Sequence, residues 1–436
     1  MMICNNLKRY DVIVVGGGMA GVGAAIGAAQ AGARTLLLEA SGFPGGLATN
    51  GLVNPFMKFD YQGEDLVQGV FGELLNVLKE DSAYQGRAFN YESLKYHLAR
   101  LLKEKQVDVL LYQQVVDIET DNRKIKSLKT YSRGSYLDIK ADQYIDCTGD
   151  AVLGKLADLT LFKGDEDGVN QAMTQMFVLD NVELRKTMEY LGSHPDDFFS
   201  WVNTEEKGIA TSIAGFFSLV TQAEADGLKL PRDHFFFIKL PQGGVVVNTG
   251  HVNIEDANNP LEVSRAQLEG LEQTRNLTKF AQEYLPGFEN SYLLQSAAQI
   301  GIRESARIKG KYVFKETDVT NFTKFDDAVV KAIYGVDIHK NDEEESEKEV
   351  KLDYSNYYEI PARALIADEL DNLLMAGRNL SADFGGQSAV RIMPTCCGMG
   401  QGAGVIAALS AIEKLKPFEI ESAKFQSELR RQGVNI

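Results

Sequence analysis

"YDVIVVGGGMAGVGAAIGAAQAGARTLLLE", residues 10–39, decides the fold. Its first six residues are apolar and rich in β-branched side chains, as in a strand buried on both faces. An Ala-rich helix over 19–33 follows, and "RTLLLE" (34–39) reads as a second buried strand. The three form a βαβ unit. Gly16, Gly18 and Gly21 spell G-x-G-x-x-G between the first strand and the helix, and Glu39 ends the second strand. Each position has a physical reason. Gly16 makes the tight turn, Gly18 lets the backbone approach a pyrophosphate, and Gly21 lets helix and strand pack closely. The helix N-terminus offers unpaired N–H groups and partial positive charge to that pyrophosphate. Glu39 stands where a carboxylate accepts hydrogen bonds from a ribose. A glycine-rich turn without a ligand is the alternative reading. Three matched demands of context speak against it: the strand before, the helix opened, and the acidic residue closing the second strand.

Working outward, helical stretches are expected at 64–80 and 91–105, and strand-like pieces fill 107–150. The region from about 170 to 365 changes character, with strands in "FFFIKL", "GGVVVNTG" and "YLLQSAAQIGI" and helical stretches at 182–192, 212–227 and 260–284. "NLLMAGRNLSA" (372–382) and "PTCCGMGQGAG" (394–404) return to the glycine-rich style of the N-terminus. The expected fold is α/β: a Rossmann-like, doubly wound parallel sheet built from residues 1–165 and 366–436, with an inserted α+β substrate domain at 166–365.

The chain has 436 residues and is 44% hydrophobic, enough for more than one core. Its 45 basic and 61 acidic residues leave a net charge of −16, which argues against nucleic acid or anionic membrane as partner. Part of the acidic excess is the run "NDEEESEKE" (341–349), read as a solvated loop. No uninterrupted run of about 18 apolar residues is present, so no membrane span is expected. No signal peptide is expected either, because the first apolar run leads into glycines and not a cleavage site. Cys4, Cys147, Cys396 and Cys397 make no CxxC and no zinc spacing. Free thiols in a cytoplasmic protein, with no bound metal, are the expectation.

The G-x-G-x-x-G pattern serves both NAD and FAD. Taken together, "YDVIVVGGGMAGVGAAIGAAQAGARTLLLEASGFPGGLATNGLV", "IGIRESARIKGKYVFKETDV" (300–319), "YYEIPARALIADELDNLLMAGRNLSA" (357–382) and "RIMPTCCGMGQGAGVIAAL" (391–409) resemble, in order, the bacterial FAD-dependent oxidoreductases related to fumarate reductase and succinate dehydrogenase flavoproteins. The resemblance implies FAD and redox chemistry, hence a flavoprotein enzyme, but no particular substrate. It places Gly16, Gly18, Met19, Ala20 and Gly21 at the pyrophosphate, and Glu39 with Ala40 at the adenosine ribose. Val115 would hold the adenine by backbone contacts. Gly45, Gly46 and Leu47 would line the ribityl chain and flavin, and Thr148 and Gly149 would close the site. Gly377 and Arg378 stand where many flavoproteins carry Gly-Asp, and Arg378 would pair with phosphate.

In this fold the last long helix points its N-terminus at the pyrimidine edge of the flavin, where reduced flavin carries negative charge. Gly400, Gly402 and Ala403 are assigned to that contact, with close packing as the alternative. Cys396 and Cys397 are read as small buried hydrophobes before redox groups. Substrate chemistry needs a group to move a proton and groups to hold a polar end. His339 is the natural base by its pKa, with Asp337 two residues before it. Arg303 and Arg391 are candidates to clamp an anion; pairing with Glu304 is the structural alternative for Arg303 and Arg307. Tyr358, beside Tyr357, completes the candidate set, with core or cavity lining as its alternative. The expected reaction is hydride transfer between a small organic substrate and flavin N5, followed by reoxidation by an unidentified electron acceptor. A C=C reductase of the fumarate reductase type, and a flavin-bound electron-transfer or scaffold subunit, are the alternatives.

Overall fold

The computed structural model describes residues 9–202, 212–341, 347–350, 352 and 354–436. Along the chain, strand β1 (Tyr10–Val15), helix α1 (Met19–Gln30) and β2 (Thr35–Leu38) form the opening βαβ unit. Helices α2 (Val70–Glu80) and α3 (Tyr91–Glu104) lead to β3 (Asp108–Leu110). An antiparallel meander, Gln114–Asp121, Lys124–Ser132 and Ser135–Ile139, precedes β4 (Ala141–Asp146). The middle of the chain supplies β5 (Phe177–Asp180), β6 (Ser212–Gly215), β7 (Phe235–Lys239), β8 (Val245–Val247), α4 (Pro260–Tyr284) and β9 (Tyr292–Ser296). Then come β10 (Ala328–Ala332), β11 (Val336–His339), β12 (Tyr358–Pro361), β13 (Leu373–Met375) and α5 (Met393–Glu413).

The first sheet has the order β13-β4-β1-β2-β3, parallel throughout, so both ends of the chain build it. Its faces explain why β1 reads as a continuous apolar run. Val12 and Val14 join the core under α1, α5, α2 and α3, while Ile13 and Val15 join a second core against the meander. Each face is covered, so alternation vanishes from the sequence. This is the expected α/β class with a Rossmann-type parallel sheet.

The second sheet, β6-β7-β8-β5-β9, is antiparallel and rests on a phenylalanine-rich core with α4 and its neighbours. The stretch 212–227 is not one helix. Ser212–Gly215 pairs with β7, and the helix begins only at Phe217, because sheet pairing overrides the local helical pattern. Residues beyond 306 do not belong to this core. Val329, Val330, Val336, Ile338 and Ile360 are buried in the same core as α1 and α5. Most of the acidic run 341–349 and all of residues 1–8, with Cys4, lie outside the described residues. Its last part contributes to a strand, Glu347–Val350, paired antiparallel with β11.

The last helix departs from expectation. It starts at Met393, with Pro394 in its first turn, so the glycines of 398–404 lie inside the helix and not at its mouth. Their role is helix crossing. A methyl group at Gly400 or Gly404 would overlap the carbonyl oxygens of Ala20 or Ala24 on α1. Reciprocally, one at Gly23 would overlap the Cys397 carbonyl, and one at Gly27 would come within 2.7 Å of the Gln401 carbonyl oxygen. Two four-residue glycine spacings therefore face each other and bring the two backbones into contact. Gly402 faces the opposite way, 2.6 Å from Val329 Cβ for an added Cβ, and Ala403 is fully buried. By length and composition α5 is the one helix among the described residues apolar enough to span a membrane, but 83% of its apolar window is buried inside this protein.

Candidate active site

A cavity of about 450 Å³ opens at the C-terminal edge of the parallel sheet, the place where ligands bind in folds of this kind. Its walls come from the loop after β1 (Gly16, Gly18, Met19, Ala20), the end of β2 (Glu39, Ala40), and the loop Gly45, Gly46 and Leu47. The meander adds Val115, the loop after β4 adds Thr148 and Gly149, and the loop after β13 adds Gly377 and Arg378. Arg391, Met393 and Cys396, from the approach to α5 and its first turn, close one end. Fourteen residues expected at the cofactor thus share one cavity. Gly21, Gly400, Gly402 and Ala403 do not line it. Gly21 packs against the Gly16 carbonyl, and the other three serve the contacts of α5 described above.

The loop after β1 is shaped for an anion. Gly16 has φ +95°, and a Cβ there would stand 2.5 Å from the Cys147 carbonyl oxygen, so only glycine fits. Gly18 caps α1 in extended conformation without a side-chain cap, leaving first-turn N–H groups for a ligand. A Cβ on Gly18 would meet nothing nearer than Gly46 Cα at 3.9 Å, so a larger side chain there has only the cavity to fill. Glu39 accepts from Gly17 N at 2.6 Å and Ser41 N at 2.7 Å, which ties the end of β2 to this loop. Gly45 N donates to the Gly17 carbonyl at 2.8 Å, seating the next loop beside it. These features fit a dinucleotide with a pyrophosphate at the α1 N-terminus.

Arg378 is more committed than expected. Its guanidinium pairs with Asp150 at 2.9 Å and donates to the Ile302 carbonyl. Asp150 also accepts from Ser305 Oγ at 2.7 Å. Cys396 is buried, and burial pushes its thiol up to about 12, with Arg378 and Arg391 opposing; Cys147 and Cys397 are also raised by burial. All three are free cysteines, protonated at neutral pH, as small hydrophobes are.

Arg391 links the cavity to a charged cluster. Its guanidinium donates to the Asp337 carbonyl at 2.9 Å and lies 3.4 Å from the Asp337 carboxylate. Asp337 Oδ1 is 3.0 Å from His339 Nε2. Burial alone would raise the Asp337 pKa, but His339, Arg391 and Arg303 outweigh it and hold the carboxyl below its ordinary range. His339 is lowered to about 4, by burial first and then by Arg303 and Arg391, against the pull of Asp337. It is uncharged at neutral pH. Arg303 donates to the Ala172 carbonyl, and the ion pair with buried Glu304 belongs instead to Arg307, at 2.6 Å. Three of the four substrate candidates, Arg303, His339 and Arg391, therefore converge. Tyr358 does not. It is fully buried on β12, its hydroxyl donates to the Tyr334 carbonyl at 2.8 Å, and burial raises its pKa far above the usual value. A phenol in that position packs the core and does not meet substrate.

Several site residues escaped the sequence reading: Asn50, Gln113, Gln114, Asp150 and Gln299 on the cavity wall, and Arg232, His251 and Gln171 in the cluster. Gln299 N donates to the Asn50 carbonyl at 3.2 Å, which ties the middle region to the cavity rim. None of these residues sits in a local motif.

A Rossmann-type parallel sheet with a cavity at its C-terminal edge, walled by the glycine loop after β1, defines a nucleotide-binding class of protein. The chain belongs to the FAD dependent oxidoreductase family, whose model matches residues 11–429. It is an FAD-dependent enzyme. Among solved structures it is similar to a geranylgeranyl bacteriochlorophyll reductase-like protein from Thermoplasma acidophilum, with 14% identity, a TM-score of 0.45, and coverage of 98% of this chain and 84% of that one. The FAD-dependent chondrochloren halogenase CndH, myxobacterial, shows 13% identity and a TM-score of 0.46 over 98% of this chain and 79% of its own. A flavoprotein/dehydrogenase from Cytophaga hutchinsonii shows 14%, 0.46, 98% and 84%. At these values the likeness concerns the fold alone. No curated protein matches the sequence.

Proposed function

We propose that the protein transfers a hydride between a carbon of a small organic substrate and flavin N5, with the substrate held where Arg391 joins the cofactor cavity to the Asp337–His339–Arg303 cluster. The observation that carries this reading is Arg391 itself, at once a wall of the cavity and a partner of Asp337. Bound FAD would supply the two-electron acceptor or donor. The chain's own residues do the rest. The glycine loops and the α1 N-terminus hold the pyrophosphate, with Glu39 at the ribose and the Val115 backbone at the adenine. Arg303 and Arg391 hold a polar end of the substrate and fix its carbon toward the flavin end of the cavity. The middle region roofs the cluster and excludes water, and an external acceptor completes the cycle. Cytoplasmic residence fits the protonated, unpaired thiols.

The same convergence of arginines and histidines favours a second reading, reduction of an activated C=C bond as in the fumarate reductase relatives that the sequence resembles. An anaerobic panel of small organic acids, alcohols and amines, read as bleaching of the flavin band, tests the first reading. Enoates read as reoxidation of chemically reduced enzyme test the second. Bleaching by at least one panel member, lost in Arg391→Met, is expected. A flavin that reacts with none but exchanges electrons with a protein carrier would overturn both.

A further inference from the structure

The cofactor cavity has a counterpart at the other edge of the parallel sheet. A second cavity, of about 420 Å³, lies where β1 and β4 begin and α5 ends. Arg9 lines it from just before β1, Lys124 from the meander, Asp142 and Gln143 from β4, and Ser410 and Lys414 from the end of α5. The far ends of β1, β4 and α5 reach the cofactor cavity, through Gly16, Thr148 and Cys396. The proposed hydride transfer makes no use of this second cavity.

Its charge runs against that of the whole chain. The net charge is −16, yet three cationic side chains and one carboxylate line this hollow. The carboxylate, Asp142, is already paired with Arg9. Lys124 and Lys414 form no ion pair among the described residues. The carbonyl end of α5 adds about half a negative charge to the rim, which leaves the cations in excess. The walls are held by backbone. Asn372, 3% exposed, accepts from Ile125 N at 2.9 Å and donates to the Ile125 and Asp142 carbonyls at 2.9 and 3.3 Å, tying the segment of Lys124 to the root of β4. On the other side Lys414 is left-handed, with φ +58°, and its N–H donates to the Ser410 carbonyl.

Gln143 is the residue that calls for a ligand. It pairs in register with Val12 and stands two residues before Ile145, so its side chain faces α5 from a stripe that is otherwise apolar. It is 6% exposed and lines the cavity, and its Oε1 is buried with no hydrogen bond among the described residues. Buried acceptors are rarely left unmet. An occupant must therefore bring anionic oxygens for Lys124 and Lys414, and an O–H or N–H for Gln143. A phosphate ester with a free hydroxyl brings both, and the cavity has the volume of a small-molecule site. We propose that this cavity binds a small hydroxylated phosphomonoester, with Lys124 and Lys414 on the phosphate and the amide of Gln143 accepting from a hydroxyl.

Calorimetric titration of the FAD-loaded protein at fixed ionic strength tests this, since bound FAD already fills the cofactor cavity. At about pH 8 a phosphate ester is a dianion. Glycerol 1-phosphate then carries both features, methyl phosphate the charge without a donor, and glycerol the hydroxyls without charge. Glycerol 1-phosphate should bind saturably, methyl phosphate about 10-fold more weakly, and glycerol not at all. Lys124→Met and Lys414→Met should each weaken glycerol 1-phosphate about 10-fold or more, and Lys414→Arg should keep most of the affinity. Gln143→Leu, which completes the apolar stripe, should bring glycerol 1-phosphate down to the level of methyl phosphate, with FAD content and Tm near wild type. Arg391→Met, at the cofactor cavity, should change nothing. Absence of saturable binding, or binding lost in Arg391→Met and kept in both lysine variants, overturns the site. Equal binding of methyl phosphate and glycerol 1-phosphate by wild type contradicts the role of Gln143. Inorganic phosphate, whose dianion keeps one O–H, separates the free ion from the ester: if it binds more tightly than glycerol 1-phosphate, the ester assignment is wrong.

Discussion

The two ends of the site are built on different principles. The cofactor end is made of main chain: Gly16, Gly18, Gly45, Gly46 and the N-terminus of α1 present N–H groups from loops close together in sequence. The cluster beyond Arg391 is made of side chains from five separate segments, Gln171, Arg232, His251, Arg303 and the pair Asp337 and His339. A backbone cradle depends on glycine spacing and leaves a local signature. A side-chain cluster depends on how a second sheet folds over the first and leaves none.

The comparison extends to glycine itself, and here the largest effect is expected. Gly18 and Gly400 both stand near α1, but Gly18 opens onto the cavity and Gly400 abuts the Ala20 carbonyl. Gly400→Val should cost roughly 3 kcal/mol or more, since backbone cannot yield as a side chain can. Thermal unfolding of the variant should show a large drop in Tm or no soluble protein. A near-normal Tm would mean that α1 and α5 are not in backbone contact. Gly402→Val should also lower Tm, through Val329, without a specific change in flavin potential.

Next in size is Glu39→Ala. It removes the bonds from Gly17 N and Ser41 N together with the carboxylate proposed to meet the ribose. A loss of roughly 1.5–3 kcal/mol corresponds to FAD binding about 10- to 100-fold weaker, measured by fluorescence titration of apoprotein. Unchanged affinity would put the adenosine elsewhere.

A smaller effect separates the two ends by pH. His251 is lowered to about 3, by burial first and then by Arg232, Arg303 and His339, and His339 to about 4. Both are uncharged in the folded protein, whereas unfolded chain binds their protons as pH falls below 6.5. The folded state therefore binds fewer protons, and stability is lost as pH drops from 6.5 toward 4, with no contribution above 6.5. Tm measured against pH should decline across that window, and the decline should be shallower in His251→Gln. An identical slope would place no titration cost on His251. The smallest effect is expected from Cys396→Ala. Its thiol is held protonated by burial, so FAD content should be kept and turnover should change by less than about 3-fold.

What the sequence disclosed follows the same division. Residues 10–39 specify the βαβ unit because buried strands and a glycine turn are written locally. Glu39 and Gly18 were legible for that reason. Arg303, His339 and Arg391 were legible as residue types, but the contact of Arg232 with His339 Nδ1 was not, since the two lie 107 residues apart. Tyr358 was misplaced because a tyrosine beside a strand end looks the same whether its hydroxyl meets a ligand or the Tyr334 carbonyl. Gly400 and Gly402 were misassigned because glycines at a helix mouth and glycines at a helix crossing look alike in one segment. The distinguishing signal lies in the partner: Gly23 and Gly27 on α1 repeat the spacing of Gly400 and Gly404.

The central claim, that main chain holds the cofactor and a separate side-chain cluster holds the substrate, is tested most directly by FAD released per mole of purified chain from two variants. Gly18→Leu fills the cavity at the α1 N-terminus and should release almost none while keeping a near-normal Tm as apoprotein. His251→Phe should release about as much as wild type. A Gly18→Leu protein that carries FAD as wild type does, or a His251→Phe protein that folds but has lost it, would contradict the account.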